Sequence, residues 1–227
     1  MRKEIPQEIE RFNIIFRIQH IVLFTMFLLL AFSGWALKYP EAEPSRFWVN
    51  IWGGPEMAGL IHRVAGVTLL LDFIWHVFYV AYLKATGQRK FSMVTTVIPM
   101  PHDLTDFIKN MLYYIGMAKE PPPYRRYTYL QKFDYWAVFW GMAIIGTSGF
   151  VLAFPVFSSA AFPNFTLGWI WPLMRIMHSD EALLAIVFIL FIHFYNEHLK
   201  PGKFPMSWIW LTGKISAEEL KHEHALE

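Results

Sequence analysis

The stretch AGLIHRVAGVTLLLDFIWHVFYVAYL, residues 58–83, decides the fold. Crossing a bilayer core as a helix takes about 20 mostly apolar residues, and this stretch supplies them with only His62, Arg63, Asp72 and His76 as ionisable interruptions. Three more runs read the same way, from about Phe12 to Leu37, Phe133 to Phe154 and Ile176 to Leu199. The expected fold is therefore all-α: an integral membrane four-helix transmembrane bundle, one domain over residues 1–227. The chain is 55% hydrophobic and 18% aromatic, and its 17% of charged residues collects in zones between the apolar runs. That is not the balance of a soluble surface, and a net charge of +2 gives no reason to expect a nucleic-acid partner. Lipid is the expected surroundings.

Basic residues set the orientation of a membrane chain. Arg2, Lys3, Arg11 and Arg17 lie at the amino-terminal end. Lys84, Arg89, Lys90, Lys109, Lys119, Arg125, Arg126 and Lys132 lie in or beside the long middle loop, and Lys200, Lys203, Lys214 and Lys221 follow the last run. Only Lys38, Arg46, Arg63 and Arg175 fall toward the other side. Both termini are expected in the cytoplasm of a prokaryotic cell, with the chain multi-pass in its inner membrane. The first run is too long for the core of a signal peptide and lacks an obvious small-residue cleavage site, so it reads as a retained helix.

Between the second and third runs, Leu104, Phe107, Ile108, Met111, Leu112 and Ile115 recur at helical spacing, with Asp103, Asp106, Lys109 and Asn110 on the other face. An interfacial helix over about 101–117 is expected, stopped by Pro121, Pro122 and Pro123. Trp208 and Trp210 read as interfacial anchors, and Ser216 to Glu219 as the capping box of a short terminal helix.

The chain has no cysteine, which excludes thiolate-held iron–sulfur clusters, covalently attached haem and internal disulfides. A redox group must be held by histidine or another non-thiolate ligand. Of nine histidines, His102, His222 and His224 sit in polar surroundings and read as solvated. The other six, His20, His62, His76, His178, His193 and His198, fall in or at the ends of spans, where ionisable groups are costly and usually functional. On a helix His62 and His76 differ by about 21 Å in height and about 40° in direction, and His178 and His193 by about 22 Å and about 60°. Each of the two spans thus presents one histidine per leaflet on roughly one face. Two axial imidazoles on a haem iron must come from facing helices at matched depth. His62 with His178 supplies an outer pair. For the inner one, His193 could pair with His20 or with His76.

Arg63, beside His62, and Arg17, three residues before His20, are candidates for haem propionates. Gly34, Gly66, Gly141, Gly146 and Gly149 allow close approach of a neighbouring helix or a flat macrocycle. The third span has no histidine and reads as scaffold. Asp72 lies one turn before His76 on the same face. It could orient that imidazole or, with it, pass protons to a bound quinone; the plain alternative is an interhelical hydrogen bond. Asp180 and Glu181 suit the start of a helix.

Arg17, Ile18, Gln19 and His20 leading to Ser33, Gly34 and Trp35, with Ile61, His62 and Arg63, resemble the cytochrome b subunits of membrane-bound formate dehydrogenases and nickel–iron hydrogenases. The segment from His193, Phe194, Tyr195, Asn196, Glu197 and His198 through Lys203, Phe204, Pro205 and Met206 is similar to a related prokaryotic branch of cytochrome b proteins. The resemblance spans all four helices. It implies a b-type di-haem anchor, with His20 and His193 on the inner haem iron and His62 and His178 on the outer. It also implies an iron–sulfur electron-transfer subunit and an extracytoplasmic catalytic or cytochrome subunit as partners, with quinone as substrate near the inner haem. His76 and His198 depart from the pattern as alternative ligands or quinone-site residues, so two haems or three are open. A different class, a haem-free transporter or structural anchor with histidines as interhelical hydrogen bonds, predicts no visible absorption.

Overall fold

The structure is a computed structural model, and it describes residues 8–88, 97–161, 168–200, 203–224 and 226. Four helices in it are long and apolar enough to cross a membrane: Ile14–Lys38, Pro55–Ala85, Tyr129–Ala153 and Ile170–Leu199. The second begins three residues before the apolar run because Pro55 opens it, and proline costs nothing in a first turn that has no amide acceptor. The third starts at Tyr129, four residues before Phe133, behind a reciprocal cap. The Gln131 amide donates to Thr128 Oγ1 at 3.1 Å, and the Thr128 amide donates to Gln131 Oε1 at 3.1 Å, which closes two otherwise unpaired donors. The fourth takes in Trp171 and Pro172 ahead of the run, again with proline in the opening turn.

The chain divides into two compact units. The histidine unit comprises Ile18–His76 and Phe139–Ser207. Its burial pattern is the reverse of a soluble domain. Leu71 is 60% and Phe191 70% exposed, while Gln19, Ser33, Asp72, Ser148 and His198 are buried. Helices in lipid gain nothing by hiding leucine from a hydrocarbon solvent. They pack through small residues and interhelical polar contacts instead. A short helix, Glu43–Ile51, follows the first span, and its Trp48 ring lies 4.9 Å from that of Phe32. Lys38 ends the first span with a 2.8 Å ion pair to Asp180 of the fourth. Departures from α geometry interrupt the third span at Met142–Gly146 and the fourth at Ile189–His193 and Tyr195–Leu199, each a π turn.

The terminal unit comprises the residues up to Arg17, Val77–Val138 and Trp208 onward. Phe16, Val80 and Leu83 form its buried apolar cluster. Strand β1 (Glu8–Glu10) pairs antiparallel with β2 (Lys214–Ser216), Glu8 opposite Ser216. Three-residue strands leave no alternation to read, and the all-α expectation missed this pair. The helix of the middle loop runs Pro101–Tyr114, ending three residues before the expected limit. Lys132 holds both Asp103 oxygens at 2.8 Å, so that end is pinned to the third span. The helix Ala217–Glu223 is capped as its sequence predicts, Ser216 Oγ accepting from the Glu219 amide at 3.1 Å. His224 is not solvated: it is 3% exposed, and its Nδ1 meets the Arg125 carbonyl at 2.7 Å. His102 is half-buried with Nε2 3.5 Å from Asp103 Oδ1. The side chain of His222 lies outside the described residues.

Candidate functional site

All six span histidines belong to the histidine unit. The first and second spans run antiparallel there in a register fixed at two heights. At one, Ser33 Oγ stands 2.9 Å from His62 Nδ1; at the other, Gln19 Oε1 stands 3.0 Å from His76 Nδ1. Fourteen residues separate each pair along its own helix, so depth matching along the two spans follows from equal rise.

At the first height His62 faces His178 of the fourth span. Their ring centres are 6.0 Å apart and their planes lie at 84°. An imidazole nitrogen bonded to a metal sits about 2 Å from it, so two rings on opposite sides of one ion have centres roughly 6 Å apart. Both rings are also held the way ligands need to be. The His178 Nδ1 faces the Ile145 carbonyl at 3.0 Å, which can only accept, so Nδ1 carries the hydrogen. Ser33 gives its hydroxyl hydrogen to the Leu29 carbonyl at 2.5 Å and accepts from His62 Nδ1. In each ring Nε2 keeps its lone pair, the arrangement an outer hydrogen bond imposes on ligating histidine. Two such rings at that spacing fit a haem iron.

Glycine makes room for these rings. A Cβ on Gly149 would stand 2.8 Å from His178 Cε1 and 3.0 Å from its Nδ1, and one on Gly34 would stand 3.2 Å from His62 Cε1. The space at these two glycines is taken by imidazole. Gly66 meets only the Leu30 side chain at 3.8 Å, an ordinary packing contact between spans. Gly141 and Gly146 face side chains of their own helix.

At the second height His20 is within electrostatic reach of His193, His198 and Glu197. His193 and His198 are five residues apart, with ring centres 6.1 Å apart. On an α-helix that spacing would turn them about 140° from each other; the wider π turns bring them to one side. His76 is held at Nδ1 by Gln19 of the facing helix, at 3.0 Å. Asp72 is 7% exposed, and its Oδ1 has no hydrogen-bond partner among the described residues. The same is true of Gln19 Nε2. Buried polar atoms of this kind cost free energy unless something supplies a partner, so both are open to a ligand or water.

Arg63 is exposed on the second span beside His62. Arg17 belongs to the terminal unit, where its Nε is buried with no hydrogen-bond partner among the described residues and its stem packs at Gly213. Asp180 pairs with Lys38 and Ser179. The sequence reading missed Ser33, Gln19, Ile145 and Ser148 as partners of the imidazoles. Ser33, Gln19 and Ser148 carried a signal, being polar within apolar runs; a backbone carbonyl carries none. The third span is more than scaffold, since it furnishes Ile145, Ser148 and Gly149 around His178.

Comparison with known proteins gives two findings. The family model for prokaryotic cytochrome b561 matches residues 11–196. The formate dehydrogenase cytochrome b556(fdo) subunit of Escherichia coli (strain K12) is 23% identical over 203 residues, covering 88% of this chain and 79% of that subunit. The corresponding subunits of E. coli O6:H1 and O157:H7 align to the same extent.

Proposed function

This chain belongs to the prokaryotic cytochrome b561 family, and from that premise we propose that it is a di-haem membrane anchor exchanging electrons between an extracytoplasmic redox partner and quinone. The family makes it a haem b protein of electron transfer, multi-pass in a prokaryotic inner membrane. Our reading adds the ligands, the number of haems, the quinone and the partners.

His62 and His178 bind the outer haem iron, and His20 and His193 the inner. The observation that carries this is the outer pair: ring centres 6.0 Å apart, with both Nδ1 hydrogens committed to Ser33 and Ile145. When bound, haem supplies reversible one-electron chemistry. The chain's own residues do the rest. Imidazoles fix the iron in place, Ser33 and the Ile145 carbonyl hold their tautomers, and the apolar exterior excludes water. Arg63 meets a propionate.

Quinone binds at the inner height, beside the polar atoms without partners at Gln19 and Asp72. There Gln19 Nε2 donates a hydrogen bond to a quinone oxygen, and Asp72 with His76 exchanges the protons that accompany electrons. The partner on the outer side is an iron–sulfur subunit with a catalytic or cytochrome subunit; a dehydrogenase is favoured because the E. coli relatives are subunits of one. Both termini lie in the cytoplasm.

Haem extracted per purified chain tests the reading. Two haems are expected, with His62→Ala and His178→Ala each retaining one. Full retention in both variants would overturn the pairing. A specific observation favours a second count: His198 lies beside His193 and within electrostatic reach of His20, and three haems per chain would make His76 and His198 ligands. A colourless protein from haem-replete cells returns the histidines to interhelical hydrogen bonds.

A further inference from the structure

We infer that the third span, which carries no histidine, is the positioning element for the outer ligand His178. The Ile145 carbonyl, the Ser148 hydroxyl and the notch at Gly149 together admit one orientation of its imidazole. The inference rests on the reading of His178 as a haem ligand and assigns the residues that aim it.

Three contacts converge on one ring. His178 Nδ1 lies 3.0 Å from the Ile145 carbonyl and 3.5 Å from Ser148 Oγ. Ser148 spends its own hydrogen on the Ile144 carbonyl at 2.6 Å, so toward His178 it offers a lone pair. Both neighbours therefore accept, and the ring is held as the Nδ1–H tautomer. The third contact is steric. A Cβ at Gly149 would meet Cε1 at 2.8 Å, Nδ1 at 3.0 Å and Nε2 at 3.8 Å. With Nδ1 turned to the Ile145 carbonyl, the lone pair is left on Nε2, the atom not bonded to the third span's acceptors.

A break in α geometry assembles these contacts. Met142–Gly146 is a π turn, and Ile145 lies inside it, with Ser148 and Gly149 just beyond. A π turn inserts one residue relative to an α-helix, which rotates everything after it by about 100°. Without that residue, Ser148 and Gly149 would leave the face that meets the fourth span. Such turns recur at functional sites. The opposing ligand is held less closely: at Gly34 the nearest His62 atoms lie 3.2 and 3.7 Å from the Cβ position.

The experiment compares Gly149→Ala with Gly34→Ala in the intact membrane protein, reading haem per chain and the low-spin resonance of each haem. Gly149→Ala is expected to lose the outer haem or shift its resonance, with the inner signal unmoved, and to do so more strongly than Gly34→Ala. Ser148→Ala and Ser148→Thr give a gentler pair that keeps the notch: the outer resonance shifts in the first and returns in the second. Loss or shift of the outer signal alone supports the inference. An outer signal unmoved in Gly149→Ala, or in Ser148→Ala should the glycine variant not accumulate, overturns it. His178→Ala separates the two levels. If that variant keeps both haems, the ligand reading itself fails; if it loses one while the glycine and serine variants keep both unchanged, only the positioning inference fails.

Discussion

Ser33 and Gln19 sit in apolar helix, and each holds the Nδ1 of a histidine on the facing span. A serine in a membrane helix ordinarily returns its hydrogen to the carbonyl four residues back, as Ser33 does to Leu29. That leaves a lone pair directed outward, and whether an imidazole arrives there is a tertiary fact. The histidines were legible in the sequence because a charge-capable ring is costly in hydrocarbon. Their partners were legible only as polar residues of unstated purpose. Ser33→Ala removes the acceptor from His62, and outer partners of metal ligands are worth about 10–100-fold in affinity. The outer haem should then pass to a haem-scavenging apoprotein about tenfold faster, with Ser33→Thr close to the parent. Equal rates in Ser33→Ala would mean His62 needs no help from Ser33. At the inner height, Asp72→Asn keeps shape and removes the exchangeable proton. General acid–base groups contribute about 10²–10⁴-fold, so quinol oxidation should fall at least about tenfold with haem content unchanged. Turnover at the parent rate would remove Asp72 from the proton path.

Length and apolarity made the four spans readable, because a bilayer sets both. Their beginnings were less so. Pro55 and Pro172 stand in opening turns ahead of the apolar runs, and the Thr128–Gln131 cap lies outside the apolar run it starts. The π turns were not legible at all, since they follow from how spans pack and leave no period in the sequence. The β1–β2 pair was hidden for a different reason: its partners are separated by nearly the whole chain, Glu8 opposite Ser216. Gly213 closes that pair at φ 75°, its carbonyl accepting from the Arg11 and Phe12 amides at 2.8 and 3.1 Å. A Cβ there would run into the Phe12 carbonyl and sit 2.9 Å from Arg17 Cδ. Left-handed backbone alone costs an L-residue about 1–2 kcal/mol, and the clash adds to it. Gly213→Ala should lower the thermal midpoint in detergent, read by circular dichroism. An unchanged midpoint would mean these contacts do not bear on stability.

For the whole molecule the question is which way electrons and protons move, and that depends on topology. An even number of spans returns the chain to the side it started from. The strand pairing of Glu8 with Ser216 independently requires both ends of the chain on one side. The middle loop joins them there, through the Arg125 carbonyl to His224 Nδ1 at 2.7 Å and the Leu226 amide to the Tyr124 carbonyl at 3.0 Å. Arg11, Lys84, Lys109, Lys119, Arg125, Arg126, Lys214 and Lys221 belong to this same unit, and an excess of lysine and arginine marks the cytoplasmic side. On the proposed orientation, the chain order of the spans alone puts His62 and His178 toward the outer leaflet and His20, His76 and His193 toward the inner one. Under the proposed function, protons exchanged with quinone pass on the cytoplasmic side and electrons enter or leave on the outer side. The absence of cysteine makes the topology directly measurable, because any introduced thiol is the only one in the chain. In intact cells a membrane-impermeant thiol reagent should label Arg46→Cys and spare Lys119→Cys and Lys221→Cys. All three should label once the membrane is opened. The inverse pattern would reverse the proposed orientation and with it the proposed side of proton exchange. Lys119→Cys and Lys221→Cys labelling from opposite sides would contradict the four-span topology itself.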